Sequence, residues 1–260
     1  MQRCGKAEVL DELRVRVARI ERRNVAARSG AVLPFGHPGL DKHLPGGGLA
    51  PGALHEVAGS GLGVEHGTAA ALFVAGILAR LPGTILWALE RRDLFAPALA
   101  GAGLHPDRVI YAEAGRSTAV LLVVEEGLRH PGLAGVVGEV SGRLTLAASR
   151  RLQLAAEAAN VAAFAIRHSR RHDDSALAEP SAAATRWRVA ALPSDPPLPQ
   201  APETPGLARA CWRLDLVRCR SGEARSWTVE ACDEAGRLGM AADLAHGQAA
   251  AVPPRHAASR

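Results

Sequence analysis

Apolar segments alternate with helical ones through the middle of this chain. Largely apolar segments separated by helices are typical of a parallel sheet that is covered on both faces. The predicted strands are Leu54–Ala58, Thr84–Leu89, Arg108–Glu113, Ala134–Val140 and Val161–Arg167. The predicted helices between them are Thr68–Arg80, Asp93–Ala102, Ser117–Arg129 and Leu144–Ala159. The pattern therefore predicts an α/β fold with a mostly parallel β-sheet flanked by helices.

A helical pattern also precedes the sheet, between Lys6 and Arg28. Apolar residues recur there three and four positions apart, and charged residues fill the other faces. The stripe consists of Val9, Leu10, Leu13, Val17 and Ile20. A helix of this length is not stable alone in water, so it needs a surface to lie on. That surface is either its own domain or a partner, and in the second case Leu10, Leu13, Val17 and Ile20 are the partner-binding residues.

The remaining patterns divide the chain into segments. Trp212–Cys219 and Ser226–Ala231 alternate around Ser221 and Gly222, which predicts an antiparallel hairpin. Arg186–Leu192 is a further strand, followed by a run rich in proline. The predicted organisation is an N-terminal helical arm (1–31), a Pro/Gly-rich connector (32–53), a core (54–192), a Pro-rich surface segment (193–209), a C-terminal hairpin extension (210–246) and a disordered tail (247–260).

Composition narrows the class of protein. Apolar residues make up 48% of the chain but aromatic residues only 3%, so Ala, Leu and Val must build the core. The net charge of +5 comes from arginine, which indicates either phosphate recognition or a bias in composition. The four cysteines lack C-x-x-C spacing, which argues against zinc, and Cys211 and Cys232 are either paired across the hairpin or buried thiols. With no secretory signal and no apolar run of membrane-spanning length, we expect a cytoplasmic protein.

The segment after the first strand has the position of a phosphate-binding loop. Gly59, Gly61, Gly63 and Gly67 supply the glycines, and Thr68 stands where a magnesium-binding hydroxyl would be expected. The spacing departs from G-x-x-x-x-G-K-[ST], and the only lysines of the chain, Lys6 and Lys42, lie upstream. The same segment carries Glu56, Glu65 and His66. We therefore expect no bound cofactor: ATP with magnesium is possible here but is not favoured.

Four blocks of sequence resemble the RecA-like ImuA family of damage-inducible mutagenesis proteins, and they span about 80% of the chain. They lie at Leu33–Val57, Ala148–Arg167, Glu179–Ser194 and Trp212–Glu230. The resemblance implies a RecA-like core with an antiparallel C-terminal extension. It also implies action beside ImuB, a Y-family polymerase homologue, and an error-prone replicative-type DNA polymerase in translesion synthesis. A looser similarity is to the SulA cell-division inhibitor.

The RecA pattern assigns roles to polar residues at the strand ends. Glu90 stands where that pattern has its water-activating glutamate, and Glu139 where it has a metal-holding aspartate. Arg167 and His168 end the fifth strand, where a polar residue either senses a γ-phosphate or has a structural role. Glu90 and Glu139 are therefore vestigial catalytic candidates. Because no lysine faces the phosphates, we expect no appreciable ATP hydrolysis.

An arginine-rich loop raises the question of DNA. Arg167, Arg170 and Arg171 are candidates for sequence-independent phosphate contacts with single-stranded DNA. The loop has no aromatic residue for base stacking, and Asp173 and Asp174 offset part of its charge, so a solvated or partner-binding loop is the alternative.

The leading interpretation is a non-catalytic accessory protein that binds ImuB, or binds RecA by imitating a protomer. A DNA-dependent ATPase with a degenerate loop and a division inhibitor of SulA type are the alternatives.

Overall fold

The computed structural model describes residues 32–130, 132–141, 143–168, 177, 179–194 and 209–240, with positions 196, 198, 200, 201, 203 and 204 between the last two ranges. The predicted arm (1–31), the loop arginines Arg170 and Arg171, and the predicted tail (247–260) lie outside the described residues.

A single nine-stranded sheet organises the described part of the chain. Its strands are β1 (Leu54–Gly59), β2 (Thr84–Leu89), β3 (Val109–Glu113), β4 (Leu133–Val140), β5 (Ala162–Arg167), β6 (Thr185–Leu192), β7 (Cys211–Cys219), β8 (Arg225–Glu230) and β9 (Gly239–Met240). They lie in the order β3-β2-β4-β5-β1-β6-β7-β8-β9. Every pair from β3 to β6 is parallel, and β7, β8 and β9 continue the sheet antiparallel.

Helices cover both faces of the sheet. They are α1 (Pro38–Asp41), α2 (Val64–Ala79), α3 (Ala96–Gly101), α4 (Ser117–Leu128) and α5 (Leu146–Ala159), with 3-10 turns at Pro45–Gly47 and Pro106–Arg108. One core cluster joins α2 and α3 to the sheet, and a second joins α4 and α5 to the opposite face. No helix among the described residues is long and apolar enough to cross a membrane.

The few aromatic side chains are concentrated on the α2 face. Phe35 stacks on Phe73 and meets the edge of Trp187, each at 5.6 Å between ring centroids, and Trp187 lies 6.0 Å from Trp227. Phe35 belongs to the connector and Trp227 to the C-terminal hairpin, so both segments share one core with the sheet.

The predicted strands and long helices are present, but several elements differ from the prediction. Helix α1 lies within the predicted connector, and α3 begins at Ala96 rather than at the predicted Asp93. The mostly parallel sheet and the C-terminal hairpin are present, and β9 adds a short strand that the sequence pattern did not predict. Helix α2 begins at Val64 rather than at the predicted Thr68. The glycine-rich loop is therefore four residues shorter than predicted, and residues 64–67 belong to the first turn of α2.

The described cysteines form no disulfide. On β7, Cys211 pairs with Glu230, while Cys232 packs against Gly76 of α2. Burial raises the pKa of the Cys232 thiol to about 12, so it is a core thiol, the second of the two alternatives.

Candidate functional site

The turn between β1 and α2 is short because the helix lies directly against the end of the strand. A Cβ on Gly59 would lie 2.7 Å from the carbonyl carbon of His66 and 2.8 Å from the amide nitrogen of Gly67. The turn passes through Gly61 at φ +87°, a left-handed conformation that favours glycine. The amide of Ser60 donates to the carbonyl of Val189 on β6 at 2.9 Å, which fixes the turn to the neighbouring strand.

The N-terminus of α2 carries a carboxylate of its own. Gly63 is the N-cap, and its carbonyl accepts the amides of His66 and Gly67. Glu65 folds back so that its carboxylate lies over the α-carbon of Gly63, where a Cβ would collide with it. An anion at this end of a helix is stabilised by the helix dipole and by the first amides, which have no intrahelical partner. The exposed Glu65 carboxylate therefore adds a negative charge at the helix end where a phosphate group would bind.

The neighbouring His66 ties the same end of α2 to β6. Its Nδ1 accepts the amide of Ala191 at 2.9 Å, and its Nε2 lies 3.7 Å from the Glu65 carboxylate. The ring is thus held between the sheet and the helix N-terminus rather than presented to a ligand.

Gly67 and Thr68, two of the predicted nucleotide-binding residues, lie inside α2 and not in the loop. The Thr68 hydroxyl donates to the carbonyl of Val64, one helical turn earlier, at 2.9 Å. Gly67 faces the ring of His168, whose Nδ1 would lie 3.5 Å from a Cβ placed there. The prediction of a loop running to Gly67 is wrong, because the helix starts at Val64 and places both residues in its first turns.

Glu139 is buried on β4 between two donors from neighbouring strands. The indole Nε1 of Trp87 on β2 donates to its Oε1 at 2.6 Å. The Nε2 of His168, which directly follows β5, lies 2.7 Å from its Oε2. Both oxygens of the carboxylate expected to serve a metal are therefore occupied by side chains of the chain itself.

The Glu139–His168 contact favours the protonated form of the imidazole. The hydrogen bond from Glu139 raises the pKa of the His168 imidazole above its ordinary value, against the opposing effect of burial. About a third of the His168 side chain is exposed, and its ring lies against Gly67 of α2. The imidazole thus stands close to the start of α2, but its partner is an internal carboxylate. Of the two roles open for His168, this contact supports the structural one.

Glu90 joins two elements at the same edge of the sheet. Its Oε1 accepts the amide of Ser141, which follows β4, at 2.9 Å, and it also accepts the hydroxyl of Ser117, the first residue of α4. The residue is half-buried. These contacts fix the start of α4 against the end of β4.

Glu56 and Arg167 lie in a buried charge cluster on the other face. Glu56 follows Leu54 by two residues on β1, so its side chain is on the α5 face and not in the glycine turn. Its Oε2 is 3.0 Å from the guanidinium of Arg186 and 3.7 Å from that of Arg167, and its Oε1 accepts the hydroxyl of Ser181. The sequence interpretation that placed Glu56 in the loop is therefore wrong.

This cluster changes the interpretation of Arg167. The side chain is 3% exposed, and burial lowers the pKa of its guanidinium. A DNA phosphate cannot reach a group that is enclosed in this way, so the placement does not fit the predicted DNA contact. Arg170 and Arg171 are outside the described residues, and their assignment to DNA stays a prediction.

The turn, Thr68 and Glu139 are the positions at which ATP and magnesium would bind in a sheet of this topology. The sequence of the turn and of α2 contains no lysine, the Thr68 hydroxyl is directed at its own helix, and each oxygen of Glu139 has a side-chain partner within the chain. Among the described residues, no group of three or more His, Cys, Asp or Glu is arranged to hold a metal ion. The residues present do not fit Mg-ATP in this arrangement.

The sequence indicated Glu90, Glu139 and the turn glycines as site residues. It did not reveal the groups that hydrogen-bond to the two carboxylates. Trp87 lies on β2 and His168 directly follows β5, and only the strand order brings them to Glu139 on β4. One local signal in the sequence points to the earlier start: acidic residues such as Glu65 are enriched in the first turn of helices.

Comparisons with known proteins agree with this architecture. No protein-family model matches the chain. Two curated relatives, Protein ImuA of Caulobacter vibrioides strain NA1000 / CB15N and of strain ATCC 19089 / CIP 103742 / CB 15, are each 40% identical over 214 residues, which is 79% of this chain and 85% of the relative.

Among solved structures, the RadB recombinase matches with a TM-score of 0.55 and 18% identity, over 81% of this chain and 100% of that one. At this identity the likeness concerns the fold alone, and the predicted RecA-like core is confirmed.

Proposed function

This chain belongs to the ImuA family, as its sequence resemblance indicated, and from that premise we propose that it is a non-catalytic accessory protein of a damage-induced translesion synthesis complex. Its RecA-like body acts in this proposal as a scaffold for protein contacts. The partners proposed are an ImuB-like Y-family polymerase homologue and an error-prone replicative-type DNA polymerase, with RecA as a further candidate.

One observation carries the non-catalytic part of the proposal: the carboxylate at the metal position is satisfied within the chain. Glu139 accepts from Trp87 at 2.6 Å and pairs with His168 at 2.7 Å. Releasing it for a metal would leave a buried indole N–H without its acceptor and would separate an ion pair, and each loss costs about 1–3 kcal/mol. A positioned cation on the transferring phosphate is normally worth orders of magnitude in rate, and no lysine is available here.

The amphipathic arm is the element that we propose for partner contact. Its apolar stripe needs a surface, and changing Leu13 and Val17 to Asp puts two charges in the centre of that stripe. Val15 lies on the opposite side of the same helical pattern, so Val15→Asp is a matched control that adds charge without touching the stripe.

The test is complementation of a deletion strain, measured as damage-induced mutation frequency. We expect Thr68→Ala to restore mutagenesis fully, because the hydroxyl it removes serves only its own helix in this arrangement. We expect the Leu13→Asp, Val17→Asp double variant to fail and Val15→Asp to succeed. Loss of mutagenesis in Thr68→Ala, with normal protein level, would show that a magnesium-binding hydroxyl is required and would overturn the non-catalytic proposal.

A further inference from the structure

A cleft of about 810 Å³ opens at the edge of the sheet opposite the glycine turn. It is lined by the segment that leads into β1, by the first residue of β6 and by the C-terminal half of α5. Its walls include Pro45, Gly48, Leu154 and Arg220. None of the residues assigned above to the nucleotide position takes part in it.

A second hollow of about 520 Å³ lies between α4 and α5. Leu154 and Ala158 line both the cleft and this hollow, so the two lie side by side across α5 and are together called the groove. Leu154 is 64% exposed at the junction, and Ala158 beside it is also exposed. Most of the surface that lines the two hollows is apolar, and a contiguous apolar surface can receive another element.

The described chain begins at the rim of this groove. Val32 contacts Gly46, and Leu33 pairs with Leu49 through two backbone hydrogen bonds of 2.8 and 2.9 Å. Pro45 and Gly48, from the same short segment, line the cleft. The 31 residues that precede Val32 therefore start beside an apolar groove.

The hydrophobic pattern of those 31 residues is that of a helix that packs in a groove, not of a strand that pairs with a sheet edge. Their apolar residues recur at helical spacing from Val9 to Ile20, a span of about 18 Å in a helix. A stripe with this period presents one apolar side, which a hollow between helices can receive, but it cannot offer the period-two pattern needed to extend a sheet.

We infer that residues 1–31 dock in the groove of their own chain, with the stripe of the arm covering Leu154 and Ala158. Eleven residues separate Ile20 from Val32, enough for about 36–40 Å when extended. A tether this short gives an effective concentration in the millimolar range, which favours the groove of the same chain over that of a second copy in dilute solution. A partner that takes the arm must then displace it from this groove.

This inference goes beyond the proposed function and does not depend on it, because it concerns the purified chain alone. The test places a benzophenone photo-cross-linker at position 154 of the full-length protein and maps the cross-linked peptides by mass spectrometry. Position 122 on α4 is the matched control, since Leu122 is also exposed, at 61%, and does not line the groove.

From position 154 we expect cross-links to residues 9–20 in a species of monomer mass, with a yield about tenfold above that from position 122. The Leu13→Asp, Val17→Asp variant should lose them. Absence of arm peptides, equal yields from the two positions, or cross-links only at twice the monomer mass would each overturn the inference. This experiment does not measure mutagenesis in cells. A failure of the docking inference can therefore be distinguished from a failure of the proposed function.

Discussion

At the scale of single residues, the proposed non-catalytic role rests on Glu139. A carboxylate that serves a metal must leave oxygens open, whereas Glu139 accepts from Trp87 and pairs with His168. Since Gln keeps an acceptor for the indole but carries no charge for the imidazolium, Glu139→Gln separates the two contacts.

We expect Glu139→Gln to lower the free energy of unfolding by about 1–2 kcal/mol near pH 6, because a charge-assisted hydrogen bond becomes a neutral one. The pKa of His168 is raised in the folded protein, so the pair stabilises fully below the ordinary histidine pKa of 6.5. That stabilisation is lost as pH rises through the raised pKa. The difference between wild type and variant in urea unfolding should therefore shrink from pH 6 to pH 9. A constant difference across this range would contradict the ion pair.

Residue types in sequence were enough to locate Glu90 and Glu139 but not to say what they contact. Both were correctly placed at strand ends, since continuous apolar segments end at a polar residue there. Their partners come from Trp87, Ser117, Ser141 and His168, which are distant in sequence. No periodicity reports such contacts, because they depend on strand order.

At the scale of elements, the close approach of β1 and α2 defines the turn. Backbone atoms of His66 and Gly67 would lie within 2.8 Å of a Cβ placed on Gly59. The sequence predicted the strand and the helix but not this distance. The apolar stretch from Thr68 onward predicted the rest of α2. The first turn of the helix holds the exposed Val64 followed by Glu65 and His66, a sequence that resembles a loop.

Gly59→Ala tests that approach. The added methyl group would meet backbone atoms that cannot move away without shifting the helix, so we expect a loss of about 1–3 kcal/mol in unfolding free energy. Gly101→Ala is the matched control, because a Cβ there meets nothing within 4 Å and the residue is helical. In thermal unfolding, the control should be neutral or slightly stabilising. Equal stability of the two variants would mean that strand and helix are not in tight contact.

At the scale of the whole molecule, the connector and the C-terminal hairpin share the core with the sheet. Phe35 and Trp227 reach the same aromatic cluster from opposite ends of the described chain, with Trp187 of β6 between them. The sequence predicted the connector only as a Pro/Gly-rich segment with turns. Its buried side chains were not predicted, because such a segment has no hydrophobic periodicity. The α/β class, by contrast, follows from the alternation of apolar and helical segments in the sequence, and the RecA-like core was implied by the family resemblance.

The central claim is that this family member keeps a nucleotide-binding architecture whose polar groups serve its own fold. Isothermal titration of the full-length protein with a non-hydrolysable ATP analogue and magnesium tests that claim most directly. The account predicts no saturable heat at millimolar nucleotide, in the presence or absence of single-stranded DNA. Saturable micromolar binding that Thr68→Ala abolishes would contradict it.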